Sequence, residues 1–158
     1  MLLKPDYNVK TIFEVDYDAL RELGIAALMF DLDSTVMKSR SGVFSSETLE
    51  LFGKLEKDFS LIIVSNNKET TYIERAEAQI GFPIIGYANK PNPKIICNYL
   101  KDNNIEPNRA AIIGDRPLTD ILAGKLAGIR TILVDSICWS EEPKLTRFVG
   151  RVERLVIK

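Results

Sequence analysis

The chain has 158 residues, 46% of them hydrophobic, which is enough to pack one domain. Its 21 basic residues against 22 acidic ones leave a net charge of -1, so no global positive field recruits nucleic acid and any preference for an anion must be local. Histidine is absent, which excludes Ser-His and Cys-His nucleophile pairs and imidazole metal sites; catalysis has to use carboxylates, lysine, serine or threonine. Cys97 and Cys138 lack the paired spacing of zinc ligands and are too few for a secreted disulfide framework, so both read as packing residues. The first residues carry no long apolar run behind a basic start, and no later stretch approaches the roughly 20 apolar residues of a membrane span. The expectation is a cytoplasmic protein, at most peripheral to a membrane.

A short helix over residues 16–23 is closed by Gly24, and a nearly continuous apolar strand follows over 25–30. Ser46 can cap a helix to about 57, with Leu49, Phe52 and Leu55 on one side, before a strand over 60–64. A helix from 69 ends at Gly81, a strand covers 83–87, and Asn92-Pro93 opens a helix to 102 with Asn as cap and Pro in the first turn. A strand over 110–113, a helix over 117–127 terminated by Gly128 and a strand over 130–134 complete the alternation. This is the α/β pattern of five parallel strands covered by helices, in a single domain over residues 1–158. In such sheets the ligand crevice lies beyond the carboxyl ends of the strands.

Those ends are polar in a consistent way. The first strand runs into Asp31-Leu32-Asp33-Ser34-Thr35-Val36, the second into Ser65-Asn66-Asn67, the third into Asn89-Lys90-Pro91 and the fourth into Gly114-Asp115-Arg116-Pro117-Leu118-Thr119-Asp120. Each piece alone has a plain alternative: an Asp after a strand is often a turn former or cap, Ser-Asn-Asn can cap the next helix, and a lone lysine is usually solvated. Four successive strand ends carrying acids, a hydroxyl, an ammonium and more acids suit a magnesium and phosphate site. Hard oxygen ligands would hold the cation, and the hydroxyl, lysine and loop amides would meet a phosphoryl dianion.

These four segments, in this order, resemble the motifs of phosphatases of the haloacid dehalogenase (HAD) superfamily, over nearly the whole chain. The Gly-Asp-Arg-x-x-Thr-Asp form and the Ser-Asn-Asn triplet are similar to subfamily IIIA and to its YqeG-like branch, which includes phosphatases of phosphatidylglycerophosphate; Ser34 stands where that branch commonly has Asn. The resemblance implies a three-layer Rossmann-like fold and a hydrolase that transfers phosphate to Asp31, with Asp33 as general acid and then base. Ser65 and Lys90, with Asn66 beside Ser65, would hold the phosphate. Asp31, the Asp33 carbonyl and Asp115 would bind Mg2+, with Asp120 supporting them through a water or from behind.

Residues 37–60 and 66–89 leave no room for a cap domain, so the crevice is expected to be open, as suits a phosphomonoester whose own bulk covers it, such as a membrane phospholipid, or a homo-oligomer in which a neighbour acts as lid. Over residues 143–158, Leu145, Phe148, Val149, Val152, Leu155 and Val156 fall at helical spacing beside Lys144, Arg147, Arg151, Arg154 and Lys158. Such a helix either contacts an anionic membrane or packs its apolar stripe on the domain while the basic side chains snorkel, and packing is the expected arrangement. A small soluble phosphate ester is the alternative substrate. Outside hydrolysis, the rivals are a receiver-like module that keeps its phospho-Asp and a catalytically idle interaction protein.

Overall fold

The computed structural model describes residues 2–138 and 144–156. Its centre is one all-parallel sheet of six strands: β1 (Tyr7–Asn8), β2 (Ala27–Phe30), β3 (Ser60–Val64), β4 (Ile84–Ile85), β5 (Ala110–Gly114) and β6 (Arg130–Leu133), in the spatial order β1-β6-β5-β2-β3-β4. The helices are α1 (Tyr17–Glu22), α2 (Ser46–Leu55), α3 (Thr70–Glu77), α4 (Lys94–Asp102), α5 (Leu122–Ala127) and α6 (Lys144–Val156).

The central strands are buried on both faces, and the period-two geometry of a strand divides their side chains between two cores. Leu28 and Phe30 of β2, Leu61 and Ile63 of β3, and Ala111 and Ile113 of β5 share one core with Leu20 of α1, Phe52 and Leu55 of α2 and Tyr72, Ile73 and Ala76 of α3. Ala27, Met29, Ile62, Val64, Ala110 and Ile112 face the other way, onto Ile96 and Leu100 of α4 and Ala123 and Ala127 of α5. Helix–sheet–helix layering follows directly. Phe52 anchors the first core, with ring centroids 5.6 Å from Phe30, 5.6 Å from Phe44 and 5.1 Å from Phe82.

Six strands replace the expected five. The extra one, β1, has two exposed residues and no apolar pattern, so nothing in its composition announces it. It is held to β6 by main-chain pairing and by Asp6, whose Oδ2 accepts from Thr131 N–H at 2.8 Å and Thr131 Oγ1 at 3.0 Å. β4 is shorter than expected because Tyr87 has φ 54°, outside strand geometry. The α2 cap is Ser45, not Ser46: its side chain accepts from Thr48 N–H, and Thr48 takes a buried position while Leu49 is exposed. α3 stops at Glu77, short of Gly81. The expected helix over 117–127 is divided, since Pro117–Ile121 is a π-turn that precedes α5; Gly128, with φ 75°, ends α5 as expected. Cys138 is buried and accepts from Ser39 N–H at 3.2 Å, whereas Cys97 is exposed rather than packed.

The intervals 37–60 and 66–89 hold only loops, α2, α3 and the β3 and β4 strands, so no cap domain is inserted there. Register then aligns the strand ends: Phe30 pairs with both Ile63 and Ile113, which brings Asp31, Ser65 and the Gly114-Asp115 step to one edge. Truncating the aromatic anchor tests the packing. Phe52→Ala should cost about 3–5 kcal/mol of unfolding free energy, read from the urea midpoint at unchanged slope, because it opens a cavity among three rings. A loss below about 1 kcal/mol would mean the cluster is not the anchor.

Candidate active site

The edge is organised around an ammonium. Lys90 has 1% of its side chain exposed, and its Nζ lies 2.7 Å from Asp31 Oδ1 and 2.6 Å from Asp120 Oδ1. Its main chain is fixed by Asn66, whose Nδ2 donates to Lys90 O at 2.9 Å and whose Oδ1 accepts from Lys90 N–H at 2.7 Å. The Asn66 side-chain amide therefore ties the end of β3 to the β4–α4 loop. Ser65 stands buried at the end of β3, its Oγ accepting from Asn67 N–H at 3.1 Å.

Asp31 begins directly after β2, where its N–H still bonds Ile113 O at 3.0 Å. Asp115 and Asp120 come from the loop and π-turn after β5. The turn buries Asp120, whose Oδ2 accepts from Arg116 N–H at 3.1 Å, and places it against Gly114 so closely that any Cβ at 114 would collide with the Asp120 side chain. Asp31, Asp115 and Asp120 can each offer an oxygen within 4.8 Å of the others, a set of hard donors fit for a divalent cation. The Asp33 carboxylate is not part of this set and has its own partners. Its Oδ1 accepts from Tyr72 OH at 2.6 Å and Arg40 N–H at 3.2 Å, and its Oδ2 from Asn67 Nδ2 at 3.3 Å.

Crowded acids raise one another's proton affinity. Burial, then the Asp120 charge, pushes the Asp31 carboxyl up to about 6 even though Lys90 pulls the other way. Burial, then Asp31 and Asp120, holds Asp115 well above the usual carboxylate range. For Lys90, burial acts downward, but the two carboxylates outweigh it and keep the ammonium above its ordinary value.

A HAD-hydrolase-like family model matches residues 87–136, which carry Lys90, Asp115 and Asp120. Over 97% of this chain and 88% of the relative, the sequence is 31% identical to "Probable phosphatase YqeG" of Bacillus subtilis (strain 168). The chain belongs to the HAD phosphatases. Within that superfamily it falls in the YqeG-like branch, and it is an enzyme of the phosphoric monoester hydrolase class, which sets aside the receiver-like and idle alternatives. A second relative is phosphatidylglycerophosphate phosphatase 1, chloroplastic/mitochondrial, of Arabidopsis thaliana, 24% identical over 98% of this chain and 47% of that protein, so the chain spans about half of its length. The fold recurs in the crystal structure of an uncharacterized protein from Listeria monocytogenes serotype 4b, with TM-score 0.57 and 21% identity over 69% of this chain and 78% of that one.

Around this HAD site the structure adds residues the sequence reading passed over. Thr35 donates to Asp115 Oδ1 at 2.9 Å and lies 3.4 Å from Asp31 Oδ2, bridging two strand ends; its place inside the first motif was the available signal. Tyr72, on α3, orients Asp33, and only the fold brings them together. Arg116 and Glu153 form a bidentate pair at 2.6 and 2.9 Å across 37 residues, with equally little local signal.

The raised carboxyl groups fix a sign for the pH response. Folded Asp31 binds its proton more tightly than the unfolded residue, whose pKa is near 3.8; this contribution to stability is complete below that value and lost as pH rises through about 6. In chelator, the parent should therefore lose thermal stability between pH 4 and 7 relative to Asp31→Asn, which has no charge to bury. Added Mg2+ should raise the parent's Tm more at pH 7.5 than at pH 5, where protons compete for the same oxygens. Parallel Tm profiles for parent and variant across that range would refute the crowding.

Proposed function

We propose that the protein hydrolyses phosphatidylglycerophosphate in two steps through an aspartyl phosphate at Asp31, with Mg2+ as cofactor. The observation that carries the chemistry is the buried Lys90 shared by Asp31 and Asp120 beside a third carboxylate, a pocket that combines a nucleophile, a cation site and a phosphate counter-charge.

In the first step an Asp31 oxygen attacks phosphorus while the bond from phosphorus to the leaving alcohol breaks, and Asp33 gives that alcohol oxygen its proton. In the second, Asp33 takes a proton from water, the water oxygen attacks phosphorus, and the bond to Asp31 breaks; phosphate leaves and both carboxyl groups are regenerated. Tyr72 and Asn67 hold the Asp33 carboxylate in one orientation for both transfers. Lys90, the Ser65 hydroxyl and the Asn66 main-chain N–H meet the phosphoryl oxygens. Mg2+ held by Asp31, Asp115 and the Asp33 carbonyl, with Asp120 behind them, would supply the charge that offsets those oxygens.

The lipid substrate is supported by the Arabidopsis relative's name and by a crevice without a cap, which leaves room for a headgroup attached to a bilayer. Turnover of phosphatidylglycerophosphate against a panel of soluble phosphate esters tests it. Preference for a soluble ester would replace the lipid and leave the chemistry standing.

Asp31→Asn should lower turnover of an aryl phosphate by about three orders of magnitude or more while the fold is kept, since the amide neither attacks phosphorus nor balances the cation. Near-normal turnover in that variant would remove Asp31 as the nucleophile. At saturating Mg2+, Lys90→Ala should cost about tenfold more in kcat/KM than Ser65→Ala, because a charge-assisted bond is worth about 1.5–3 kcal/mol and a neutral one about 1. Small and equal losses would place both residues off the phosphate.

A further inference from the structure

Among its described side chains α6 turns Glu153 and Arg154 to the domain and leaves its apolar residues outside, the reverse of the expected packing. Gly150 and Glu153 are buried; Glu153 takes the Arg116 guanidinium, while Arg154 donates to Val134 O at 2.9 Å and pairs with Asp135 at 3.1 Å. The described apolar side chains of the stripe are outside. Phe148 is 63% and Leu155 67% exposed, and Val149 and Val152 are exposed with them, so positions 148, 152 and 155 line one face over two turns. Exposed Leu118 sits on the π-turn against which α6 packs. Exposed Ile137, whose N–H bonds Ser34 O at 2.9 Å, extends apolar surface to the loop that follows Asp31.

We propose that this face, the outer stripe of α6 with Leu118 and Ile137, docks the enzyme on an anionic bilayer; the proposal rests on the lipid reading above. Charge selects the occupant. Residues 144–158 carry five basic residues against one acid; Glu153 is buried on Arg116 and Arg154 pairs with Asp135, which leaves the segment cationic by sequence on a chain whose net charge is -1. A second copy meeting this face across a twofold axis would bring the same cationic segment against itself, whereas anionic headgroups supply the opposite sign and acyl chains accept the stripe. The helix is about 20 Å long, and among the described residues no helix is long and apolar enough to cross a membrane. The contact is therefore in the plane of the interface. Because the inner side of α6 holds the Asp115-Arg116 loop, docking sets the crevice at headgroup level.

The test is flotation of the full chain with phosphatidylcholine vesicles, with and without phosphatidylglycerol, at low and moderate salt, comparing the parent with Phe148→Gln/Val152→Gln/Leu155→Gln. The parent should float with the anionic vesicles in a salt-sensitive way, and the triple variant should bind at least about tenfold more weakly while hydrolysing a soluble aryl phosphate at the parental rate. Single Phe148→Gln and Leu155→Gln variants, expected to give smaller losses of binding, stand in should the triple variant lose aryl-phosphate activity. A parent that does not bind anionic vesicles, or variants that bind as the parent does, overturns the docking. A parental dimer that the substitutions dissociate, without vesicle binding, reassigns the face to a second copy. Vesicles of phosphatidylglycerol contain no phosphomonoester, so binding is read independently of the substrate. Hydrolysis of short-chain monomeric phosphatidylglycerophosphate without vesicle binding would overturn docking alone, and vesicle binding without any lipid-phosphate hydrolysis would overturn the lipid substrate alone.

Discussion

A lysine ammonium with 1% of its side chain exposed is tolerable only where opposite charges meet it, and Lys90 has two such partners, Asp31 and Asp120. That single amine joins the loop after β4 to the end of β2 and to the π-turn after β5. Asn66 adds the end of β3 by gripping the Lys90 main chain at both its N–H and its carbonyl. Four strand ends are thus held by one side chain and one amide. Removing one partner of a buried pair strands the other charge at a cost of about 3–5 kcal/mol, so the groups proposed to meet the phosphate are also groups that keep the edge in register.

The same arrangement leaves an imbalance that suits its chemistry. Three carboxylates gather around one ammonium that pairs with two of them, so ionised they leave two negative charges in excess, which one divalent cation would balance. The raised proton affinity of Asp31 and Asp115 expresses burial and that surplus together. Tyr72, Asn67 and Arg40 N–H hold the Asp33 carboxylate outside that set. Two acids two positions apart consequently have different partners, which suits the two roles proposed for them.

What could be read from the sequence was whatever the chain encodes locally. The buried strands announce themselves by continuous apolar runs, Gly128 by the left-handed terminus it permits, and Asp31, Lys90, Asp115 and Asp120 by their positions immediately past those runs. The two-residue β1 was not legible, because main-chain pairing and one Asp side chain hold it without an apolar pattern. Nor was the π-turn, since Pro117 at a helix start is equally compatible with an α-helix; the wider turn allows Asp120 to lie buried against Gly114. Tyr72 and Glu153 act on partners 39 and 37 residues away, and no spacing rule reaches that far.

The reversal of α6 has a physical reason in Arg116. A guanidinium one residue from Asp115 would otherwise be drawn to the carboxylate cluster, reduce its negative surplus and weaken it as a cation site. Glu153 takes Arg116 in a bidentate pair from outside the cluster, and that bond is the first reason the guanidinium is held above its ordinary proton affinity, ahead of the Asp115 and Asp120 charges. To present Glu153 and Arg154 to the loop, α6 must turn its polar side to the domain, and helical geometry then sends Phe148, Val152 and Leu155 to the opposite side. The apolar stripe is outside because the polar residues are needed inside. A site without a cap thereby acquires, beside it, a surface that water does not favour, and the electrostatics of the Asp115 loop and the docking face proposed for α6 become two consequences of how one helix is rotated.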